Sequence, residues 1–193
     1  MITNLDLEEK TDEELVIIIL ENQNAFSLVV DRYKDKLLRY IRRISSVSVE
    51  ESEDMLQNIF IKVYLNLNEF DDSLKFSSWV YRIAHNEVID NYRKRKSRPQ
   101  LMDVDIKDSY VKELAGDTNI LEELSREELK CEISEAINKL DLKFQEIIIL
   151  KYIEEKDYQE ISDIIKKPLG TVASRMNKAK AELKKVLVHK NFS

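Results

Sequence analysis

Glycine is almost absent from this chain: 193 residues contain two, Gly116 and Gly170. They lie far apart, so neither the Gly-x-Gly-x-x-Gly dinucleotide loop nor the Gly-x4-Gly-Lys-[Ser/Thr] phosphate loop can be written, because both need several glycines in one turn. Proline is equally scarce, at two. A chain poor in both turn formers and rich in Leu, Ile, Glu and Lys cannot supply the many tight turns of a sandwich or barrel, which predicts an all-α fold. The lone Cys131 cannot close an intramolecular disulfide, and with only His85 and His189 beside it there is no cluster for a structural zinc. A reducing cytoplasm is expected, with no metal and no other cofactor. The opening MITNLDLEEKTDEEL is acidic where a secretory signal is basic, and the apolar run Leu15–Leu20 is far below the roughly 18 residues of a membrane span. Neither export nor membrane insertion is expected.

The formal net charge of −6 argues at first sight against a nucleic-acid partner. Its distribution reverses that impression. Residues 1–21 carry 7 acidic and 1 basic side chain, and residues 100–135 carry 11 and 4. The other two stretches are basic: 14 basic against 11 acidic over residues 22–99, and 12 against 8 over residues 136–193. The chain is therefore two mildly basic blocks separated by acidic segments.

Thr11-Asp12-Glu13-Glu14 has the form of a capping box and opens a short helix to about Glu21. Phe26, Val29, Val30, Tyr33, Leu37, Tyr40, Ile41 and Ile44 recur at helical spacing and predict a second helix with a basic outer face. Ser48-Val49-Glu50-Glu51 is another capping box, starting a third helix that ends near Asn68. Residues 68–76 read as a loop, and from Ser77 a fourth helix runs to about Lys96, with a core stripe of Val80, Ala84 and Val88 and a second stripe of Trp79, Arg82, Asn86, Asp90 and Arg93. Pro99 stops it. Residues 100–118 are acidic and aperiodic, as in an exposed linker. Beyond it come a helix capped by Asn119 and three shorter ones: Lys143 to about Ile153, Asp157–Ile165, and Gly170 to about Val188.

The last two of these have the proportions of a helix-turn-helix. Val172, Met176, Ala179, Leu183 and Val186 form the apolar side of the final helix; Thr171, Ser174, Arg175 and Lys178 form an adjacent stripe, flanked by Lys180, Lys184 and Lys185. Short polar and guanidinium groups near a helix start can reach base edges in the major groove, while lysines farther along neutralise phosphates. Periodicity alone serves a solvated basic helix equally well. A glycine often makes the left-handed turn in such a motif, and Lys166 holds that place at an expected cost of about 1 kcal/mol.

The fourth helix offers a second surface. Lys75-Phe76-Ser77-Ser78-Trp79, then Asn86, Asp90 and Arg93-Lys94-Arg95-Lys96, places aromatic rings beside a basic run. Unpaired bases stack on rings while Lys and Arg follow the backbone; packing in the core is the reading preferred for Phe76, and Trp79 is left open between core and base. The acidic cluster Glu50, Glu51, Glu53 and Asp54 is explained by the dipole of the helix it opens rather than by a metal or an acid–base pair. His85 reads as a surface or helix-packing histidine.

Asp54-Met55-Leu56-Gln57-Asn58-Ile59-Phe60-Ile61-Lys62-Val63-Tyr64, then Phe76-Ser77-Ser78-Trp79-Val80-Tyr81-Arg82-Ile83-Ala84-His85-Asn86 and Asp90-Asn91-Tyr92-Arg93-Lys94, resembles the second region of bacterial extracytoplasmic-function (ECF) sigma factors. Tyr158-Gln159-Glu160-Ile161-Ser162 with Gly170-Thr171-Val172-Ala173-Ser174-Arg175-Met176 resembles their fourth region. The resemblance runs from about Asn24 to Leu187. It implies an acidic N-terminal helix (1–21), a region 2-like domain (22–98), an acidic linker (99–118) and a region 4-like helix-turn-helix domain (119–193).

The resemblance also implies roles. Asp54, Gln57 and Phe60, with Ile61 and Tyr64, would dock on core RNA polymerase. Lys75, Phe76, Trp79, Arg82, Asn86, Arg93 and Arg95 would recognise and melt the minus-ten element, with a non-template base flipped into a pocket near the 68–75 loop. Thr171, Ser174, Arg175, Lys178 and Lys180 would read the duplex minus-thirty-five element. The implied partners are core polymerase, promoter DNA as duplex and as melted strand, and an anti-sigma factor that couples the protein to a stress response; no catalytic residue is implied. The chain departs from the family at Asp141 (usually Pro), Ser162 (usually small and apolar) and Lys166 (usually Gly). A stand-alone helix-turn-helix regulator would leave the Asp54/Gln57/Phe60 face without a role, and a helical adaptor would need no DNA.

Overall fold

The structure, a computed structural model, describes residues 9–45, 47–97, 129 and 132–190, with side chains as far as 188. The linker 99–118 and the stretch capped by Asn119 lie outside the described residues, apart from Leu129 and residues 132–138. No strand occurs among the described residues; the fold is all-α.

Among the described residues, three helix starts carry the reciprocal cap that satisfies otherwise unpaired N–H groups. In α1 (Asp12–Glu21) Thr11 Oγ1 accepts from the Glu14 N–H at 3.2 Å, and the Glu14 carboxylate accepts from the Thr11 N–H at 2.8 Å. Ser48 and Glu51 repeat the arrangement in α3 (Val49–Leu65), as do Asp157 and Glu160 in α7 (Tyr158–Ile165). Between them, α2 (Phe26–Ile44) buries Val29, Tyr33, Leu37, Tyr40, Ile41 and Ile44. Several boundaries differ by a residue or more from those the sequence pattern predicts, and two of the shifts adjoin the candidate site. α3 ends at Leu65 and passes into a 3-10 turn, Leu67–Glu69, because Leu67 turns inward to the core. The fourth helix, α4 (Phe76–Lys96), begins at Phe76 rather than Ser77.

α2, α3 and α4 pack on one another, and α1 lies across α2, α4 and the 3-10 turn. The second group comprises α5 (132–138), α6 (Leu142–Tyr152), α7 and α8 (Leu169–Lys190), with α8 packed on α6 and α7. The two groups are not apart. α4 lies against α7 and α2 against α6, and the buried apolar side chains form one continuous cluster from Leu15 to Ala179.

Candidate functional site

The outward face of α3 is set by what its other face buries. Ser52, Met55, Ile59 and Val63 point inward, so Asp54, Gln57, Ile61 and Tyr64 fall on the opposite side. Phe60 is half-buried against Phe26, edge to face at 6.5 Å, and Phe26 packs likewise on Tyr64 at 5.1 Å. Ile61 is 56% exposed and Leu65 67%. A monomer gains nothing from holding such groups in water, and an apolar patch rimmed by Asp54 and Gln57 has the composition of a protein-binding face. Leu65 is not among the residues that the motif singles out; its signal in the sequence is an apolar residue off the buried stripe of an amphipathic helix.

The start of α4 is built from rings. Phe76 is fully buried and Trp79 is 6% exposed. The two stack at 5.7 Å, and Phe70 meets both edge-on, at 5.3 and 5.7 Å. The Trp79 ring lies in the core and leaves the stripe of Arg82, Asn86 and Arg93 to which helical periodicity assigns it. The rings brace the loop 70–75, where Asp71 accepts from the Ser73 N–H at 3.0 Å; hydrogen bonds from Ser73 hold the Asp71 carboxyl below the usual aspartate range. Asn86 and Arg93 are exposed, Arg82 half-buried; Arg93 pairs loosely with Asp90 at 3.5 Å and Arg95 with Glu51 at 3.7 Å. Lys75 faces Glu160 at 3.4 Å and Asp157 at 3.7 Å. The N-terminus of α4 has no side-chain cap of its own; the Phe76 N–H donates instead to the Glu13 carboxylate of α1 at 3.0 Å.

The helix-turn-helix closes without glycine. Lys166 takes the left-handed conformation, φ 48° and ψ 54°, as the cap of α7. Its N–H and that of Lys167 both reach the Ser162 carbonyl. The Ser162 hydroxyl donates back to the Lys167 carbonyl at 2.6 Å. Two of the three departures from the pattern of the resembled family thus form one device: a hydroxyl at 162 ties down a turn that lysine at 166 adopts at a cost.

On α8, Val172, Met176 and Ala179 are buried, Thr171 and Arg175 half-buried, Ser174 and Lys178 exposed. These last four occupy one stripe. Lys180 does not join them: it sits about half a turn away and lies over the Tyr152 ring at 5.7 Å, where the Tyr152 hydroxyl holds its ammonium above the usual lysine range. Between α4 and the end of α7 lies a cleft of about 520 Å³ with Lys62, Asn86, Arg93 and Lys167 on its wall.

Two helical groups, the first with an exposed, partly apolar face on α3 and the second ending in a helix-turn-helix, have the architecture of a DNA-binding transcription protein. Family models agree: Sigma-70 region 2 matches residues 29–98 and Sigma-70, region 4 matches residues 132–183. The ECF RNA polymerase sigma factor SigW of Bacillus subtilis (strain 168) is 36% identical over 171 residues, covering 86% of this chain and 90% of the relative. The ECF RNA polymerase sigma-E factor of Escherichia coli (strain K12) is 32% identical over 181 residues, covering 90% and 92%. The chain belongs to the ECF RNA polymerase sigma factors, which are transcription initiation factors. Solved structures share the fold: CnrH in complex with the cytosolic domain of CnrY (TM-score 0.66, 23% identity, 93% of this chain and 99% of that one) and the sigma factor RpoE with the anti-sigma factor NepR from Bartonella quintana (0.64, 21%, 84% and 96%).

Proposed function

We propose that this protein binds core RNA polymerase and directs initiation at a particular class of promoter, acting in the cytoplasm, catalysing nothing itself and held in check by an anti-sigma factor until a stress signal releases it. The observation that carries this reading is the α3 face of exposed Asp54, Gln57, Ile61 and Tyr64, with half-buried Phe60 at its edge, in the same chain as a complete helix-turn-helix. A regulator that bound duplex DNA alone would have no use for that face.

In this reading the region spanning 22–98 serves polymerase and the minus-ten element, 99–118 links, and 119–193 serves the minus-thirty-five element. Lys75, Arg82, Asn86, Arg93 and Arg95 supply cations and an amide for the melted strand. Phe76 and Trp79 act from inside, fixing the loop beside which an unpaired base is received. Thr171, Ser174, Arg175 and Lys178 read base edges, while Lys180, on the opposite side of α8 over the Tyr152 ring, takes no part in that reading. Opening is driven by binding: stacking and pocketing of unpaired bases offset the few kcal/mol that unstacking each base costs.

Promoter-specific transcription with purified core polymerase tests this. Run-off product should depend on the protein; Gln57→Ala should lose core binding, and Arg175→Ala should keep core binding and lose promoter choice. Sequence-specific binding to a duplex without polymerase, and no effect on transcription, would favour the stand-alone regulator.

A further inference from the structure

The acidic helix α1 reaches both ends of the loop 70–75. It lies against the 3-10 turn Leu67–Glu69, where the loop begins, and against α4, where the loop ends. Leu15, Val16 and Ile19, all buried, fix it there. Its first turn carries three acids, and each carboxylate has its own partner. Glu14 closes the capping box with Thr11. Asp12 accepts from the Tyr33 hydroxyl of α2 and pairs with Arg32 at 2.9 Å. Half-buried Glu13 accepts from the Phe76 N–H at 3.0 Å.

Asp12 and Glu13 thus converge on one residue. Glu13 holds the Phe76 backbone directly. Asp12 acts on the Phe76 ring through Tyr33, which meets that ring edge-on at 5.9 Å. Burial and the Asp12 carboxylate keep the Tyr33 hydroxyl far above the usual tyrosine range, so it stays a donor at neutral pH. Phe76 in turn stacks on Trp79 and takes the edge of Phe70 at the start of the loop. The N-cap position of α4 is Lys75, whose side chain has no oxygen to offer the free N–H groups of the first turn. A local cap would need Ser, Thr, Asp or Asn there. Taking the cap from α1 leaves position 75 to a cation, which the reading given above assigns to the melted strand. An uncapped first turn frays, and a loop that must be reordered on binding spends affinity on its own ordering.

We propose that Asp12 and Glu13 are positioning residues for the minus-ten element: they fix Phe76, and through it the loop 70–75, in the geometry that receives an unpaired base. This rests on the reading that α4 and the loop before it face the melted strand. In this role α1 sets how tightly that strand is held and leaves core binding through α3 unchanged.

The test uses the full chain bound to core polymerase. The probe is a fluorescent single-stranded oligonucleotide of the non-template strand, spanning the melted segment of a promoter that this holoenzyme selects from its own genomic DNA. Anisotropy reads oligonucleotide affinity, and competition against the parent protein reads core affinity. Glu13→Ala should weaken oligonucleotide binding about fivefold, the loss of one helix cap, with core affinity unchanged. Glu13→Gln keeps an acceptor oxygen at the same reach and should stay close to the parent. Glu13→Asp keeps the charge but is one methylene shorter, and should fall toward Glu13→Ala; these two variants decide the matter if Glu13→Ala folds poorly. Glu14→Ala removes the neighbouring capping box at a comparable cost in stability and should leave oligonucleotide binding unchanged. Unchanged binding in Glu13→Ala and Glu13→Asp, an equal loss in Glu14→Ala, or a parallel loss of core affinity overturns the proposal. Arg93→Ala checks the underlying reading. An oligonucleotide that the parent does not bind, or that Arg93→Ala binds equally well, overturns the assignment of α4 to the strand and the positioning role with it. Weakening by Arg93→Ala but not by the Glu13 variants overturns the positioning role alone.

Discussion

Lys166→Gly isolates the energetic peculiarity of the helix-turn-helix. The left-handed conformation that Lys166 adopts crowds Cβ against the backbone and costs an L-residue about 1–2 kcal/mol. Glycine removes that term but loses about 0.5–1 kcal/mol more backbone entropy on folding. The net is a gain of about 0.5–1 kcal/mol, worth about 1–4 °C in Tm for a chain of this size. Ser162→Ala removes the 2.6 Å bond to the Lys167 carbonyl and should cost about 0.5–1.5 kcal/mol. If the hydroxyl holds a turn that lysine resists, the two changes couple, and Ser162→Ala costs less when residue 166 is glycine. Thermal and urea unfolding of the parent, both single variants and the double give the cycle. A Lys166→Gly protein no more stable than its parent would refute the claim that this turn is strained; strict additivity would refute the claim that Ser162 compensates it.

Other consequences follow from single contacts. Glu13→Ala leaves the Phe76 N–H at the start of α4 without its acceptor and should lower stability by about 1 kcal/mol, seen as a lower urea midpoint at unchanged slope. The Ser78 hydroxyl is buried with no hydrogen-bond partner, so Ser78→Ala should leave stability unchanged or raise it, by up to about 1 kcal/mol in calorimetry. Asp157, the cap of α7, is held below the usual aspartate value of 3.8, first by the Glu160 backbone N–H. A depressed carboxyl stabilises the fold above its unfolded pKa and loses that contribution as pH falls through the folded one. Relative to Asp157→Asn, which keeps a capping side chain that does not titrate, the parent should therefore lose stability selectively below about pH 4. Lys156 is pulled below 10.5 by burial, which the neighbouring Glu160 and Glu154 only partly oppose. The unfolded chain binds its proton more readily, so stability should rise as pH climbs toward 10.5, and Lys156→Met should flatten that limb in urea titrations.

Chemistry that acts over a few residues is legible in the sequence by itself. The boxes at Thr11 and Ser48 are satisfied within four residues, and the stripes of α2 and α8 repeat every three to four positions, so their helices follow from composition and spacing. The exposed face of α3 follows from its buried one, and the left-handed site at 166 from where a helix-turn-helix must bend. The tertiary structure alone decided three things. It drew Trp79 into the core, because Phe70 and Phe76 converge on it from outside its own helical stripe. It supplied the cap of α4 from Glu13, 63 residues away. It also gave His85 and Tyr40 their shared partner in Glu146, closing one half of the chain over the other. Backbone hydrogen bonds and helical periodicity act over a turn and leave their mark on neighbouring residues. A buried carboxylate and its partner satisfy each other through space, and their distance along the chain carries no trace of it.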